Sequence, residues 1–114
     1  MPYAELYSIS NFTFLRGASW PGELVATAAE LNYQAIAICD ECSLAGIVKA
    51  HLAAKANNIK LIVGSEFTSD EFLPQLSLVL LAPTRSAYEQ LSALITRARR
   101  RSEKGSYTLL AKDL

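Results

Sequence analysis

The chain has 114 residues, 51% of them hydrophobic and 19% charged, which is enough apolar surface for one packed core and too much for an intrinsically disordered segment. Its 11 Lys and Arg balance 11 Asp and Glu, so no net charge draws it toward nucleic acid or a membrane surface. No apolar run reaches the length of a spanning helix. The opening Met1-Pro2-Tyr3-Ala4-Glu5 lacks the basic and apolar regions of a signal peptide. Two cysteines make no disulfide framework, so a reduced, cytoplasmic setting without a membrane partner is expected.

Strands and helices alternate along the chain. Tyr3 to Ile9 alternates weakly and predicts a first strand, followed by a loop over Ser10 to Ala18 that holds Asn11 and Gly17. Ser19 is suited to cap a helix, with Pro21 in the first turn where a missing N–H costs nothing. That helix runs to about Leu31 on a stripe of Leu24, Val25, Ala28 and Leu31. The consecutive apolar residues of Ala35 to Cys39 predict a strand buried on both faces. A second helix from about Ser43 to Ala56 would turn Leu44, Ile47, Val48 and Leu52 inward and end at Asn57-Asn58. Lys60 to Val63 is a third strand, and Phe67 to Gln75, with Pro74, reads as a connection. Leu76 to Ala82 is a fourth strand. Pro83-Thr84 opens a third helix to about Glu103, its buried stripe being Tyr88, Leu91, Ile95 and Ala98; Ser86 and Glu89 offer an alternative start with capping-box spacing. Residues 106–114 read as a tail with no clear partner. The order predicts one α/β domain over 1–114, with a mainly parallel sheet of about four strands and three helices. An open flavodoxin-like sheet needs a fifth strand, and a closed barrel needs about 250 residues.

Sites in such folds gather beyond the C-terminal ends of the strands. Those ends carry Tyr7, Ser8 and Asn11 after the first strand, Asp40 and Glu41 after the second, and Glu66 after the third. Asp40, Glu41 and Glu66 would suit a divalent cation; the alternative is that Asp40 and Glu41 cap the second helix and Glu66 is a solvated loop residue. His51, the only histidine, falls seven residues after Leu44 on the expected inner face of the second helix, where a structural, partly buried role is favoured over a ligand or base. Cys39-Asp40-Glu41-Cys42 has the spacing of a redox pair, but carboxylates beside thiols disfavour the thiolate such pairs need. Arg97, Arg100, Arg101 and Lys104 make a basic stripe at the end of the third helix, read either as a solvated helix end or as a phosphate-contact patch. No glycine-rich phosphate loop is present.

Ala4-Glu5-Leu6-Tyr7 with Ser10 to Ser19 resembles the opening of bacterial error-prone DNA polymerases, of the DNA polymerase III α-subunit-like family. Asp40 to Gly46, Lys60 to Phe67 and Leu91 to Gly105 continue the resemblance over nearly the whole chain. It implies a PHP (polymerase and histidinol phosphatase) domain, a distorted β/α barrel of which this chain would be a truncated part. Active members hold divalent metals (zinc, manganese or magnesium) on histidines and carboxylates and hydrolyse phosphoesters, in some cases as 3′-to-5′ exonucleases. The resemblance carries metal positions onto Asp40 and Glu66 alone. Where the family opens on His-x-His this chain has Tyr7 and Ile9, where it pairs Asp with His the chain has Asp40-Glu41, and the remaining ligands would lie beyond residue 114.

The expectation is therefore a PHP segment of a DNA-repair, damage-tolerant polymerase that is catalytically silent on its own, with no tightly bound metal and no polymerase site. The alternatives are a metal-dependent phosphoesterase using Asp40, Glu41 and Glu66, and a small DNA-binding or adaptor module using the basic stripe. Two open sheet edges flanked by apolar strands predict a homo-oligomer, most simply a dimer, with DNA or the rest of a polymerase assembly as further partners.

Overall fold

The computed structural model describes residues 3–13, 16–69 and 73–114, with backbone alone for 73–76. One sheet contains β1 (Ala4–Glu5), β2 (Ala35–Ile38), β3 (Lys60–Ser69) and β4 (Leu73–Ala82), in that order. The helices are α1 (Pro21–Glu30), α2 (Ile47–Asn57) and α3 (Arg85–Arg100), and a 3₁₀ turn spans Ala111–Asp113. β1, β2 and β3 run parallel, as the alternating order requires, while β4 returns antiparallel to β3. The sheet is thus mixed, and its longest pairing is the antiparallel one.

Several boundaries differ from the sequence expectations. The first strand pairs with β2 only at Ala4 and Glu5, although the chain keeps contact further on, where the Cys39 N–H donates to the Ser8 carbonyl (2.7 Å). The expected connection over Phe67 to Gln75 is mostly strand; only residues 70–72 fall outside the described chain. Pro74 had suggested a break. It stands where the β3–β4 register shifts between Thr68↔Ser77 and Ser69↔Leu73, on an edge strand, where a missing N–H is tolerated.

α1 starts on Trp20 rather than Ser19, with buried Pro21 as its first residue and the Glu23 carboxylate accepting the Trp20 N–H (3.2 Å). The Ser19 carbonyl instead accepts the Asn11 N–H (2.8 Å), tying the preceding loop to the helix entry. α2 begins at Ile47, not Ser43, and the residues before it are tied to β3: the Cys42 N–H donates to the Glu66 carbonyl (2.8 Å) and the Ser43 N–H to Ser65 Oγ (3.2 Å). Its buried face is Ile47, Ala50 and Ala54, leaving Val48 70% and Leu52 62% exposed. α3 starts as expected, with Thr84 Oγ1 accepting the Ala87 N–H (3.1 Å). Its buried stripe is Leu91, Leu94 and Ala98, with Ile95 partly buried and Tyr88 exposed.

Two apolar clusters meet at Leu44 and Val63. One joins α1 and α2 to Ile36 and Ile38 of β2. The other joins α3 to Phe67, Ala82, Cys42 and Leu109. Leu109 corrects the view of residues 106–114 as an unattached tail. Its side chain is buried, its carbonyl accepts from Ser69 Oγ (3.0 Å), and the adjacent Thr108 N–H donates to the Ala98 carbonyl (3.0 Å). The segment lacks periodicity, so a single anchor of this kind leaves no pattern in sequence. Leu109→Ala should destabilise the chain by about 2–5 kcal/mol through lost burial and a residual cavity, read as a lowered midpoint in urea unfolding.

Candidate functional site

Tyr7, Asp40, Glu41 and Glu66 meet at one rim where the parallel β2–β3 ladder ends; β3 runs on to Ser69, so Glu66 lies within that strand and not after it. A single parallel bridge, Glu41↔Glu66, carries the β2–β3 pairing past the end of β2 and sets these two residues side by side. Each carboxylate then meets a different set of donors.

Asp40 is buried at 2% exposure. One carboxylate oxygen accepts the Ser10 N–H (2.6 Å) and the Thr13 hydroxyl (2.7 Å), and the other accepts the Ser10 hydroxyl (2.6 Å). Its backbone carbonyl accepts from Ser65 Oγ (2.7 Å) and the Glu66 N–H (3.1 Å). Asp40 therefore anchors the loop after β1 and does not cap α2. The loop closes tightly on itself: a Cβ at Gly17 would lie 1.9 Å from the Ser10 carbonyl oxygen, so only glycine fits.

Glu66 is buried, not a solvated loop residue. Its Oε1 accepts from the Tyr7 hydroxyl (2.9 Å) and Arg16 Nη1 (3.0 Å). Glu41 is less buried, and its Oε1 meets the same Arg16 Nη1 at 3.3 Å. Glu41 Oε2 accepts from the Tyr107 hydroxyl (2.7 Å) and Thr68 Oγ1 (3.4 Å). Arg16 Nη2 completes the group by donating to the Tyr7 hydroxyl (3.1 Å). Burial, and next the bond to Glu66, push the Tyr7 phenol above its ordinary range, so it is a neutral donor near neutral pH. The hydrogen bond to Glu66 likewise raises Arg16.

Glu41 and Glu66 thus meet on one guanidinium, and Asp40 faces the loop. The residues do not fit a divalent metal. Asp40's oxygens are filled by donors, a cation already lies between the other two carboxylates, and no imidazole stands near. No group of three or more His, Cys, Asp or Glu among the described residues could hold a metal ion.

The other sequence candidates lie elsewhere. His51 is exposed on α2, not on its buried face. Cys39 and Cys42 are free and buried, and burial pushes both thiols up to about 11, the reverse of a redox pair. The basic stripe is divided. Arg101 makes a two-pronged pair with Asp113 (2.7 and 3.0 Å), and Arg97 lies 4.0 Å from the same carboxylate. These arginines, Arg101 first, hold the Asp113 carboxyl well below the usual carboxylate range. Arg100 and Lys104 are exposed and make no ion pair among the described residues.

Sequence reasoning missed Arg16, Thr13, Arg99 and Tyr107. Arg99 turns inward: its guanidinium donates to the carbonyls of Cys42 (3.0 and 3.2 Å) and Ser106 (3.3 Å) and stacks 5.3 Å from the Tyr107 ring centre. The Tyr107 hydroxyl in turn accepts the Thr68 N–H (2.8 Å). The only trace of Arg16 and Thr13 in the sequence is that both stand in the stretch carrying the family resemblance. Asp40→Asn should destabilise the chain by about 2–3 kcal/mol, since an amide must turn a donor toward a site that already holds three; urea unfolding of the variant beside the parent checks this.

A family model described as PHP domain matches residues 5–113. The error-prone DNA polymerase of Dechloromonas aromatica is 59% identical over 112 residues, covering 98% of this chain and 11% of that protein. That of Teredinibacter turnerae is 56% identical over 114 residues, 100% of this chain and 11% of that protein. The chain thus spans about a tenth of the length of these curated relatives. Among solved structures, a Bifidobacterium adolescentis protein described as a metal-dependent phosphoesterase superposes with a TM-score of 0.65 at 23% identity, over 87% of this chain and 34% of that one. An amidohydrolase from Chromobacterium violaceum, with bound sulfate and no metal, gives 0.68 at 23% identity, over 85% and 33%. At that identity the two structures speak for the fold alone.

Proposed function

The chain belongs to the PHP domain family, and on that premise we propose that it serves as the PHP segment of an error-prone DNA polymerase in damage-tolerant synthesis and DNA repair, as a structural element and not as a phosphoesterase. The observation that carries the second half is the donor set at the rim. A hydrolytic metal centre needs open ligand positions for metal and water; here Asp40 is filled by Ser10 and Thr13, and Arg16 lies between Glu41 and Glu66. The polymerase assignment is supported by 59% and 56% identity to two curated error-prone polymerases. A cytoplasmic setting is supported by two free, buried thiols. No helix among the described residues is long and apolar enough to cross a membrane.

Purified chain supplied with millimolar Mn²⁺ should not hydrolyse bis(p-nitrophenyl) phosphate or shorten single-stranded DNA from its 3′ end above the blank. Hydrolysis that disappears in Glu66→Gln would establish the phosphoesterase instead. A phosphate-contact role for the basic stripe would fall to Arg100 and Lys104, the members without an ion pair among the described residues.

Self-association is the second part of the proposal. β4 is an edge strand, and Val79 and Leu81 on it are 37% and 39% exposed. Two copies meeting along β4 would cover those side chains with twofold symmetry. Light scattering at micromolar concentration should give the mass of a dimer, which Leu81→Lys should convert to monomer; a monodisperse parent monomer would exclude this mode.

A further inference from the structure

We propose that Arg16 is a built-in cation that takes the place of a metal at this rim, so that the three strand ends are held together by a guanidinium and do not depend on a divalent ion. This rests on the structural, non-hydrolytic reading of the rim given above.

Arg16 Nη1 lies 3.0 Å from Glu66 Oε1 and 3.3 Å from Glu41 Oε1, so the two carboxylate oxygens are separated by one nitrogen. Glu66 is nearly buried, its side chain 6% exposed. Two carboxylates this close repel each other, and a cation between them offsets that repulsion. The planar fork of arginine suits the task, since one side chain reaches several acceptors. Here it reaches acceptors from three segments: Tyr7 after β1, Glu41 after β2 and Glu66 in β3.

The backbone that carries Arg16 is itself held in place. Its N–H donates to the Thr13 carbonyl (3.2 Å), Thr13 is bonded to Asp40, and Gly17 beside it is packed against Ser10. The buried Asp40 network therefore delivers the guanidinium to the rim. A divalent ion at the same point would stand within a few ångströms of a fixed positive charge, and the two exclude each other. Removing the guanidinium leaves the Glu41 and Glu66 carboxylates facing a gap, a pair of hard oxygen ligands of the kind manganese accepts, with the rest of its shell filled by water.

The test uses this chain, Arg16→Lys and Arg16→Met, with Mn²⁺ as the probe, read by calorimetric titration and by melting with chelator or with millimolar Mn²⁺. The parent should show no saturable Mn²⁺ uptake and the same melting temperature in both buffers. Arg16→Lys, which keeps the charge but loses the fork, should melt lower and still ignore Mn²⁺. Arg16→Met should melt lowest in chelator, bind about one Mn²⁺ at least about tenfold more tightly than the parent, and recover stability when it does; adding Glu66→Gln should abolish that uptake. Saturable Mn²⁺ binding by the parent would overturn the proposal. So would an Arg16→Met chain that melts like the parent without metal, or one that remains unfolded or unbound with Mn²⁺ present. Hydrolysis by the parent would instead defeat the structural reading of the rim, so the two failures are told apart.

Discussion

Asp40 lies at 2% exposure, and a carboxylate placed there without partners would cost several kcal/mol. Ser10 and Thr13 supply three hydrogen bonds to it, across separations of 30 and 27 residues. That one carboxylate joins the end of β2 to the loop after β1. Through its carbonyl, bonded to Ser65 Oγ and the Glu66 N–H, it also joins β3. The loop in turn places Arg16 between Glu41 and Glu66, which their backbone bridge has already set side by side. The short parallel strands have few ladder bonds of their own beyond Ile38, so side-chain bonds at the rim take over where the ladder ends.

The elements legible in sequence were those with a strong local signal. The apolar run of β2, the Pro21 helix start and Asn58, which closes α2 in the left-handed region at φ 53°, are each decided by residues close by. α2 was misread because Val48 and Leu52 match helical spacing as well as Ala50 and Ala54 do. Size decides between them only once the neighbouring surface is known, and alanines let the helix pack closely. The β3–β4 hairpin was hidden by Pro74 and by polar Glu66 and Thr68 within β3, whose partners stand far away in sequence.

The rim was half legible for the same reason. The expected strand ends announced Asp40, Glu41 and Glu66, because topology places C-terminal ends together, although β3 continues past Glu66 to Ser69. What those carboxylates bind depends on residues from a loop and from the end of the chain, and no spacing rule connects Arg16 to Glu66 or Tyr107 to Glu41. Arg99 shows how far this extends. It lies beside a basic stripe, yet its guanidinium is spent on the carbonyls of Cys42 and Ser106, and Cys42 sits at φ 43°, a conformation unusual for a side-chain-bearing residue. A buried carbonyl in such a turn has no ladder partner, so a long cationic side chain satisfies it.

A metal and a guanidinium solve the same electrostatic problem by different means. A metal gathers ligands from many elements, and its site disappears when enough of those ligands are missing. A guanidinium carries its own tether, needs only acceptors, and stays charged at any pH a protein experiences. At this rim two carboxylates and one arginine leave a formal charge of one negative, which the Tyr7 and Tyr107 hydroxyls share as neutral donors, both phenols being raised chiefly by burial. Under the structural role proposed for this segment, the same guanidinium occupies the place between Glu41 and Glu66 that a hydrolytic metal would take.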